Sequence, residues 1–298
     1  GYPNRPVRWV VPFTPGASND IIARLVGQKL TEAWGQQFVI DNRPGAGGAI
    51  GAETVAKGMP DGYTLLLANP GPSVNTPLMM KRASFGVQDF TNIVFIGYAP
   101  LIIVAHPKFA PNNPKELLAY AKSNPGKVTW GSSGNGSSLH IGLALFQAAT
   151  SVDVVHVPYK GAGPALIDAV SGQIQVMHTT TVTAESQVKA SRIKVVGIAS
   201  TKRSPLLPDV PTLAESGIKD AEAIVWFGMS GPPQLPRAIV EKLNAQVNKI
   251  VALPDVKQRL DQLGLEVEGG TPTQFEAFVN KEAAKVARLI KAGLLKVE

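Results

Sequence analysis

The sequence predicts an α/β protein of two lobes, one of them discontinuous along the chain, joined by two crossover strands. Short runs of β-branched and aliphatic residues alternate with segments of helical periodicity, which indicates βαβ units and a mainly parallel sheet. This plan occurs twice along the chain. Two long apolar runs, at 93–105 and 223–229, flank the second unit and are interpreted as the crossovers.

These runs divide the chain into two predicted lobes. Residues 1–102 together with 228–298 are assigned to lobe 1, and residues 103–227 to lobe 2. Clefts between such lobes commonly close on small ligands by hinge motion. We therefore expect a ligand cleft between the two lobes.

The first half opens with a strand at 7–11 that runs into a glycine-rich turn at 12–20. A helix follows, for which Ser18, Asn19 or Asp20 could serve as the N-cap. The other predicted elements of this half are a strand at 38–40, a glycine-rich loop at 42–51, a helix at 52–56 and a strand at 63–68.

The second half contains another glycine-rich turn, at 131–138, between a strand and a helix. The predicted helices here lie at 115–123, 139–149 and 165–170, and the strands at 127–130, 154–157, 174–177 and 195–199. Two amphipathic surface helices are predicted after the second crossover, at 236–252 and 274–291.

Composition narrows the function classes. A chain of 298 residues with 44% apolar composition can bury a sizeable core, and no apolar run approaches the roughly 20 residues that span a bilayer. The net charge is +7, but the basic residues are spread out, so nucleic-acid binding is not predicted. Because cysteine is absent, thiolate zinc sites, cysteine nucleophiles and disulfides are excluded.

Catalytic and cofactor motifs are incomplete. The turn at 131–138 lacks the last glycine of a nucleophile elbow and the lysine of a phosphate-binding loop, and the loop at 45–50 lacks the third glycine of a dinucleotide fingerprint. The histidines are not paired at metal-ligand spacing. We therefore expect no catalytic residue, cofactor or metal. Spacing alone would still permit a hydrolase site at Ser133, His156 and Asp153.

The two glycine-rich turns are the most informative feature of the chain. Every strand–helix connection needs small residues, so glycine alone says little. These turns also carry hydroxyl and amide side chains, and they present backbone N–H groups at helix N-termini, where the dipole favours an anion. The side chains in question are Thr14, Ser18, Asn19, Ser132, Ser133, Asn135, Ser137 and Ser138. The pattern predicts two lobes that grip and release one small anion, as a carrier does.

The chain resembles the Bug family, the periplasmic substrate-binding proteins of tripartite tricarboxylate transporters. Family phrases stand in order across nearly the whole chain, at 8–20 (RWVVPFTPGASND), 42–48 (NRPGAGG), 60–66 (PDGYTLL), 124–127 (NPGK), 131–136 (GSSGNG), 155–161 (VHVPYKG) and 202–205 (KRSP). The resemblance implies a type II periplasmic-binding-protein fold that captures carboxylates for a membrane permease. It also implies a periplasmic location after removal of a signal peptide that is absent from this chain. We expect a monomer.

The resemblance also implies the ligand-binding residues, while Lys160 is kept outside this set as a surface or packing lysine. The implied residues are Phe13, Gly16, Ala17, Ser18, Asn19, Ala68, Asn69, Ser132, Ser133, Gly134, Asn135, Ser137 and Thr179.

One departure from the family bears on the ligand. Relatives that resemble amino-acid binders carry an Asp where this chain has Thr179. A buried ammonium group without a countercharge is costly, so we expect a carboxylate without a free amine. His140, just inside the helix after the second turn, could help bind an anion, and His178 could add positive character if protonated or pack as a neutral ring. Trp226 and Phe227 could stack on an aromatic acid or pack at the hinge, so aliphatic dicarboxylates and aromatic acids both stay open.

Two other functions remain as alternatives. The same scaffold could be a ligand sensor for a signalling partner, because sensing and transport use the same ligand chemistry. The second alternative is a serine-dependent hydrolase that uses the second turn.

Overall fold

The computed structural model describes residues 1–297. The first part contains β1 (Val7–Val11), α1 (Ser18–Trp34), β2 (Phe38–Asn42), α2 (Ala49–Ala56), β3 (Thr64–Ala68), α3 (Thr76–Met79) and β4 (Thr91–Pro100). The middle part contains β5 (Ile102–Ala105), α4 (Pro114–Ser123), β6 (Thr129–Ser132), α5 (Ser138–Thr150), β7 (Val155–Pro158), α6 (Ala162–Ser171), β8 (Val176–Thr179), α7 (Thr181–Lys189) and β9 (Lys194–Ile198). The last part contains β10 (Ile224–Gly231), α8 (Arg237–Val251), α9 (Pro254–Gln262), β11 (Glu266–Val267) and α10 (Pro272–Lys291).

Two sheets form the centres of two lobes, which confirms the predicted α/β class. The first lobe holds a six-stranded sheet of order β11-β4-β10-β3-β1-β2, and the second lobe a five-stranded sheet of order β7-β6-β8-β5-β9. Both sheets are mixed, so the prediction of mainly parallel sheets holds for only part of each. Strands β1 to β3 and β6 to β8 pair in parallel, but β10 and β5 each pair antiparallel with both of their neighbours. Continuous apolar runs indicate strands buried on both faces, which are typical of parallel sheets but also occur as antiparallel strands in mixed sheets such as these.

The chain passes between the sheets at three residues that bond to one another. Leu101 donates its backbone N–H to Ala223, Ala223 donates to Ala199, and Ala199 donates to Leu101, at 2.8–2.9 Å. The predicted lobe boundaries after residues 102 and 227 instead fall inside β5 and β10. Strand β10 pairs along its whole length with β4, so Ile224–Phe227 lies in the first sheet. A continuous apolar run does not reveal at which residue a chain changes sheets.

An aromatic cluster packs behind the hinge in the first lobe. Trp226 is fully buried and contacts the rings of Phe95, Phe275 and Phe278, with ring centroids 5.6–6.4 Å apart. Phe227 is buried as well. Because both rings are buried, they cannot stack on an aromatic ligand. Of the two alternatives for this pair, the structure supports packing at the hinge. Within residues 1–297, no helix combines the length and apolar character needed to cross a membrane.

Candidate ligand-binding site

Four helix N-termini converge on one small cavity between the lobes, called here the inner cavity. Its volume is about 40 Å³. The first lobe contributes the start of α1, and the second lobe contributes the starts of α5, α6 and α7. The lining residues are Phe13, Thr14, Ala17, Ser18, Asn19, Asn69, Ser133, Ser138, Leu139, Gly161, Ala162, Thr179, Thr180, Thr183 and Val225.

Helix α1 begins without a side-chain cap. Its N-cap residue is Ala17, in extended conformation (φ −82°, ψ 170°), and alanine offers no oxygen to the first-turn N–H groups. Ser18 and Asn19, whose backbone N–H groups belong to this first turn, line the inner cavity. An uncapped helix start of this kind can donate to an anion instead.

Helix α6 also begins without a side-chain cap, and it belongs to the opposite lobe. Its N-cap is Gly161, at φ 151°, and the first helical residue is Ala162. Both residues line the inner cavity. The uncapped starts of α1 and α6 thus face the same space from two lobes.

The other two helices that reach the cavity have side-chain caps. Ser137 Oγ accepts the N–H of His140 at the start of α5, and Thr180 Oγ1 accepts the N–H of Thr183 at the start of α7. These caps use part of the donor capacity at both helices. The open donors are therefore concentrated at α1 and α6.

A pair of buried asparagines orders the side of the cavity next to α1. Asn69 Nδ2 donates to Asn19 Oδ1 at 2.9 Å, and Asn69 Oδ1 accepts the N–H of Gly71. With its oxygen occupied, Asn19 presents Nδ2 as its side-chain donor. The amide of Asn69 therefore fixes which end of Asn19 is offered to a ligand.

Thr179 supplies a buried hydroxyl to the second-lobe side. The residue is fully buried, lines the inner cavity, and its Oγ1 has no hydrogen-bond partner among the described residues. An unpaired buried hydroxyl costs about 1–3 kcal/mol, which a ligand oxygen could recover.

The neighbouring histidines are neutral. His178 is fully buried, and desolvation lowers its pKa to about 3. Its Nδ1 accepts from Trp130 Nε1 at 3.1 Å. Burial and the nearby His156 lower the pKa of His140 to about 3, and its Nδ1 accepts the N–H of Gly136. Of the two alternatives for His178, the packed neutral ring is therefore the one that the structure supports, and His140 adds no positive charge either.

Asp20 shapes the first turn from inside α1. Burial opposes ionisation of Asp20, but hydrogen bonds from Arg24, from the N–H of Gly16 and from Asn42 outweigh it and lower the carboxyl pKa. The ion pair with Arg24 at 3.0 Å offsets the negative charge of Asp20 near the helix start. Asp20 therefore folds the turn without cancelling its attraction for an anion.

Seven of the thirteen implied residues line the inner cavity: Phe13, Ala17, Ser18, Asn19, Asn69, Ser133 and Thr179. Both glycine-rich turns therefore meet at one cavity. Gly134 and Asn135 line a second, larger cavity described below. Gly16, Ala68, Ser132 and Ser137 line neither. Gly16 is exposed and donates to Asp20, Ala68 and Ser132 are fully buried, and Ser137 is the cap of α5.

The structure does not support the hydrolase hypothesis, which named Ser133 as the partner of His156. His156 Nε2 lies 2.6 Å from Oγ of Ser132, and Ser132 also bonds to the backbone of Gly134. Because Ser132 is completely buried, its hydroxyl shapes the loop and cannot reach a substrate. Within residues 1–297, no cluster of three or more His, Asp or Glu side chains is arranged to hold a metal ion.

Several lining residues were not among the implied set, notably Gly161 and Ala162 at α6 and Val225 on β10. The sequence does contain a signal for the uncapped start of α6. The stretch Gly161-Ala162-Gly163-Pro164 offers no Ser, Thr, Asn or Asp as an N-cap, although the proline fixes a helix start there.

The lobes touch beside the inner cavity. A Cβ added at Gly47 (φ +62°) would lie 2.5 Å from the carbonyl oxygen of Asn135 in the opposite lobe. A Cβ at Gly161 would lie 3.1 Å from Oγ1 of Thr14. The cleft is therefore closed in this structure, with glycine allowing the closest approach.

A larger cavity, called here the outer cavity, adjoins the inner one and has a volume of about 600 Å³. Both lobes contribute to it, and Phe13 and Ser133 line both cavities. Its residues are Phe13, Gly45, Ala46, Gly47, Gly48, Thr76, Met79, Met80, Ser133, Gly134, Asn135, Gly136, His140, His156, Pro158, Tyr159, Lys160, Leu294 and Lys296.

Comparison with protein families matches residues 22–295 to the tripartite tricarboxylate transporter family receptor, TctC. Among curated relatives, a UPF0065 protein from the tcbD-tcbE intergenic region of Pseudomonas sp. strain P51 is 38% identical, over 97% of this chain and 86% of the relative. Protein BugT of Bordetella pertussis is 32% identical, over 97% of this chain and 90% of the relative.

Solved structures agree with this assignment. R. palustris Rpa4515 with adipate is 32% identical, with a TM-score of 0.93 and 98% coverage of both chains. The periplasmic binding protein BugD is 35% identical, with a TM-score of 0.92 over 99% of this chain and 100% of that one. MatC from Rhodopseudomonas palustris with bound malate is 30% identical, with a TM-score of 0.90 over 97% of this chain and 100% of that one.

Proposed function

Because the chain belongs to the tripartite tricarboxylate transporter family of receptors, we propose that it captures a carboxylate without a free amine between its lobes. The chain is a solute-binding receptor and not an enzyme. In the proposal, it works in the periplasm and delivers the acid to the membrane permease of a tripartite transporter.

The observation that carries the proposal is the pair of uncapped helix starts, α1 and α6, at one cavity. A carboxylate has two oxygens, each able to accept hydrogen bonds. One carboxylate could therefore accept from Ser18 or Asn19 in the first lobe and from Ala162 in the second. Such a ligand would link the lobes and stabilise the closed state, which is what a receptor that signals occupancy to a permease requires.

The electrostatics of the inner cavity favour an acid over an amino acid. Among the described residues that line it, none is Asp or Glu. An ammonium group there would have hydroxyls and amides as acceptors but no countercharge, and burying it would be costly. The dipoles of four converging helix starts oppose a cation further.

The solved relatives point to the same chemistry. Rpa4515 holds adipate and MatC holds malate. Both ligands are dicarboxylates that lack an amine. Their presence in structures with 30–32% identity supports an acid of this class for this chain.

A thermal-shift panel tests the proposal. The panel contains adipate, malate, benzoate, citrate, glutamate, aspartate and glucose, each titrated against the purified chain. An acid present at 100 times its Kd should add about 2.7 kcal/mol to the free energy of unfolding. We expect shifts from amine-free carboxylates and none from glucose. Shifts confined to glutamate and aspartate would contradict the proposal.

A further inference from the structure

The outer cavity adjoins the inner cavity, and both lobes line it. We propose that the ligand is an elongated dicarboxylate, with one carboxylate in the inner cavity, its hydrocarbon body in the outer cavity and its second carboxylate near Lys160 and Lys296. The inference rests on the proposed function and narrows its substrate class.

The two cavities differ greatly in size. The inner cavity, about 40 Å³, has room for roughly three water-sized groups, which matches one carboxylate but not a whole dicarboxylate. The outer cavity, about 600 Å³, falls within the usual range of ligand pockets. An acid held by the helix starts would therefore have to extend beyond the inner cavity, unless it were very short.

The two cavities share two lining residues. Phe13 and Ser133 line both cavities, one from each lobe, so they form the partition between them. The backbone of Phe13 is held by Asn42, whose Nδ2 donates to the Phe13 carbonyl at 3.1 Å. The tip of its ring lies beside Gly71, where an added Cβ would be 3.5 Å from Cζ. A chain leaving the inner cavity would pass along this aromatic face.

The outer cavity has a partly apolar lining. Phe13, Met79, Met80, Pro158 and Leu294 supply apolar surface for a hydrocarbon body. The rings of His140 and His156 stack with centroids 4.0 Å apart and planes within 3°, and the pKa of His140 is about 3. His140 therefore adds a flat, uncharged surface to this wall.

Two lysines give the outer cavity a positive charge. Lys160 from the second lobe and Lys296 from the first are both exposed at this cavity. Among the described residues that line it, these two lysines are the charged side chains, and no Asp or Glu is present. Two cations over an apolar floor complement an acid whose far end is a second carboxylate. They also come from different lobes, so the far carboxylate would bridge the cleft as the near one does.

Calorimetry with a ligand series tests this inference. The probes are linear α,ω-dicarboxylates of four to ten carbons, together with monocarboxylates of the same lengths, titrated into the wild type and a Lys160→Ala/Lys296→Ala variant. We expect affinity to rise beyond four carbons, and the best dicarboxylate to bind roughly three- to tenfold more tightly than its matched monocarboxylate, as exposed ion pairs allow. The double variant should lose that advantage while it keeps its affinity for monocarboxylates.

A Lys122→Ala/Lys249→Ala variant serves as the matched control. It removes the same two charges from exposed positions on α4 and α8, which line neither cavity. We expect it to bind every probe as the wild type does. An equal loss in both double variants would show a general charge effect and overturn the inference.

The failures are distinguishable. If four-carbon acids bind and longer ones do not, or if the Lys160/Lys296 variant keeps the dicarboxylate advantage, the extended ligand is wrong and the receptor function stands. If no acid of either series binds, the proposed function itself is wrong.

Discussion

The side-chain amide of Asn69 donates to Oδ1 of Asn19 at 2.9 Å, which joins the end of β3 to the start of α1. Both residues are buried at the inner cavity. The bond leaves the Asn19 side chain with its Nδ2 as the donor for a ligand. It couples two residues that lie far apart in sequence into one element of the site.

The first prediction concerns this pair. Asn69→Ala should weaken binding of the preferred acid roughly two- to tenfold, because the Asn19 amide loses its fixed orientation. Asn19→Ala should cost at least as much. In a double-mutant cycle measured by calorimetry, the double variant should lose less than the sum of the two. Additive losses would mean that Asn69 does not act through Asn19.

The second prediction concerns Thr179, whose buried Oγ1 has no hydrogen-bond partner within residues 1–297. Thr179→Val keeps the shape and removes the hydroxyl. Without ligand, we expect the free energy of unfolding to stay equal or rise by about 1 kcal/mol, since an unsatisfied group is removed. With ligand, affinity should fall. A variant that is less stable and binds normally would show that the hydroxyl serves the fold and not the ligand.

The third prediction concerns closure. Gly47→Ala would place a Cβ 2.5 Å from the Asn135 carbonyl oxygen, which should hold the cleft open and weaken binding. Gly35→Ala is the matched control, because Gly35 has nearly the same φ (+65° against +62°) but nothing within 4 Å of an added Cβ. Both should lose about 1–2 kcal/mol of stability from left-handed backbone strain. Only Gly47→Ala should lose affinity, measured by calorimetry, and should scatter X-rays as a more open molecule with ligand present. Equal affinity in the two variants would contradict closure at Gly47.

The fourth prediction follows from His178, whose pKa falls from 6.5 to about 3 on burial. The unfolded chain takes up a proton below pH 6.5 and the folded protein does not, so stability falls as the pH drops from about 6.5 towards 3. Between pH 7.5 and 5.0 this one group should cost about 2 kcal/mol of unfolding free energy. His178→Gln can still accept from Trp130. In denaturant titrations, its loss of unfolding free energy between these two pH values should be smaller than that of the wild type by this amount. An equal loss in the variant and the wild type would mean that His178 is protonated in the folded state.

Much of the candidate site could be predicted because the turns between strands and helices can be identified in the sequence by their glycine, hydroxyl and amide residues. The turn at 12–20 and the turn at 131–138 both reach the inner cavity, as do Asn69 and Thr179 at the ends of their strands. In parallel units, residues that follow strands gather at one edge of the sheet. That rule needs no knowledge of the rest of the fold.

The parts of the site and fold that could not be predicted depend on tertiary structure. Gly16 and Ser132 stand in the predicted loops, but Asp20 and His156 occupy their hydrogen-bonding groups, and no local pattern reveals that. The start of α6 was missed because the helix was predicted to begin at residue 165, after Pro164, whereas it begins at Ala162. The directions of β5 and β10 were missed because apolar runs look alike in parallel and antiparallel strands.

The central claim is that a carboxylate accepts from the uncapped start of α1, and Ser18 tests it most directly. Ser18 is the first helical residue, and Ala17 before it is extended, so proline fits at position 18 and removes only the N–H and the hydroxyl. Ser18→Ala removes the hydroxyl alone. By calorimetry with the acid that the panel identifies, we expect Ser18→Pro to bind about 10- to 150-fold more weakly than Ser18→Ala, at similar stability. Equal affinities of these two folded variants would contradict the account.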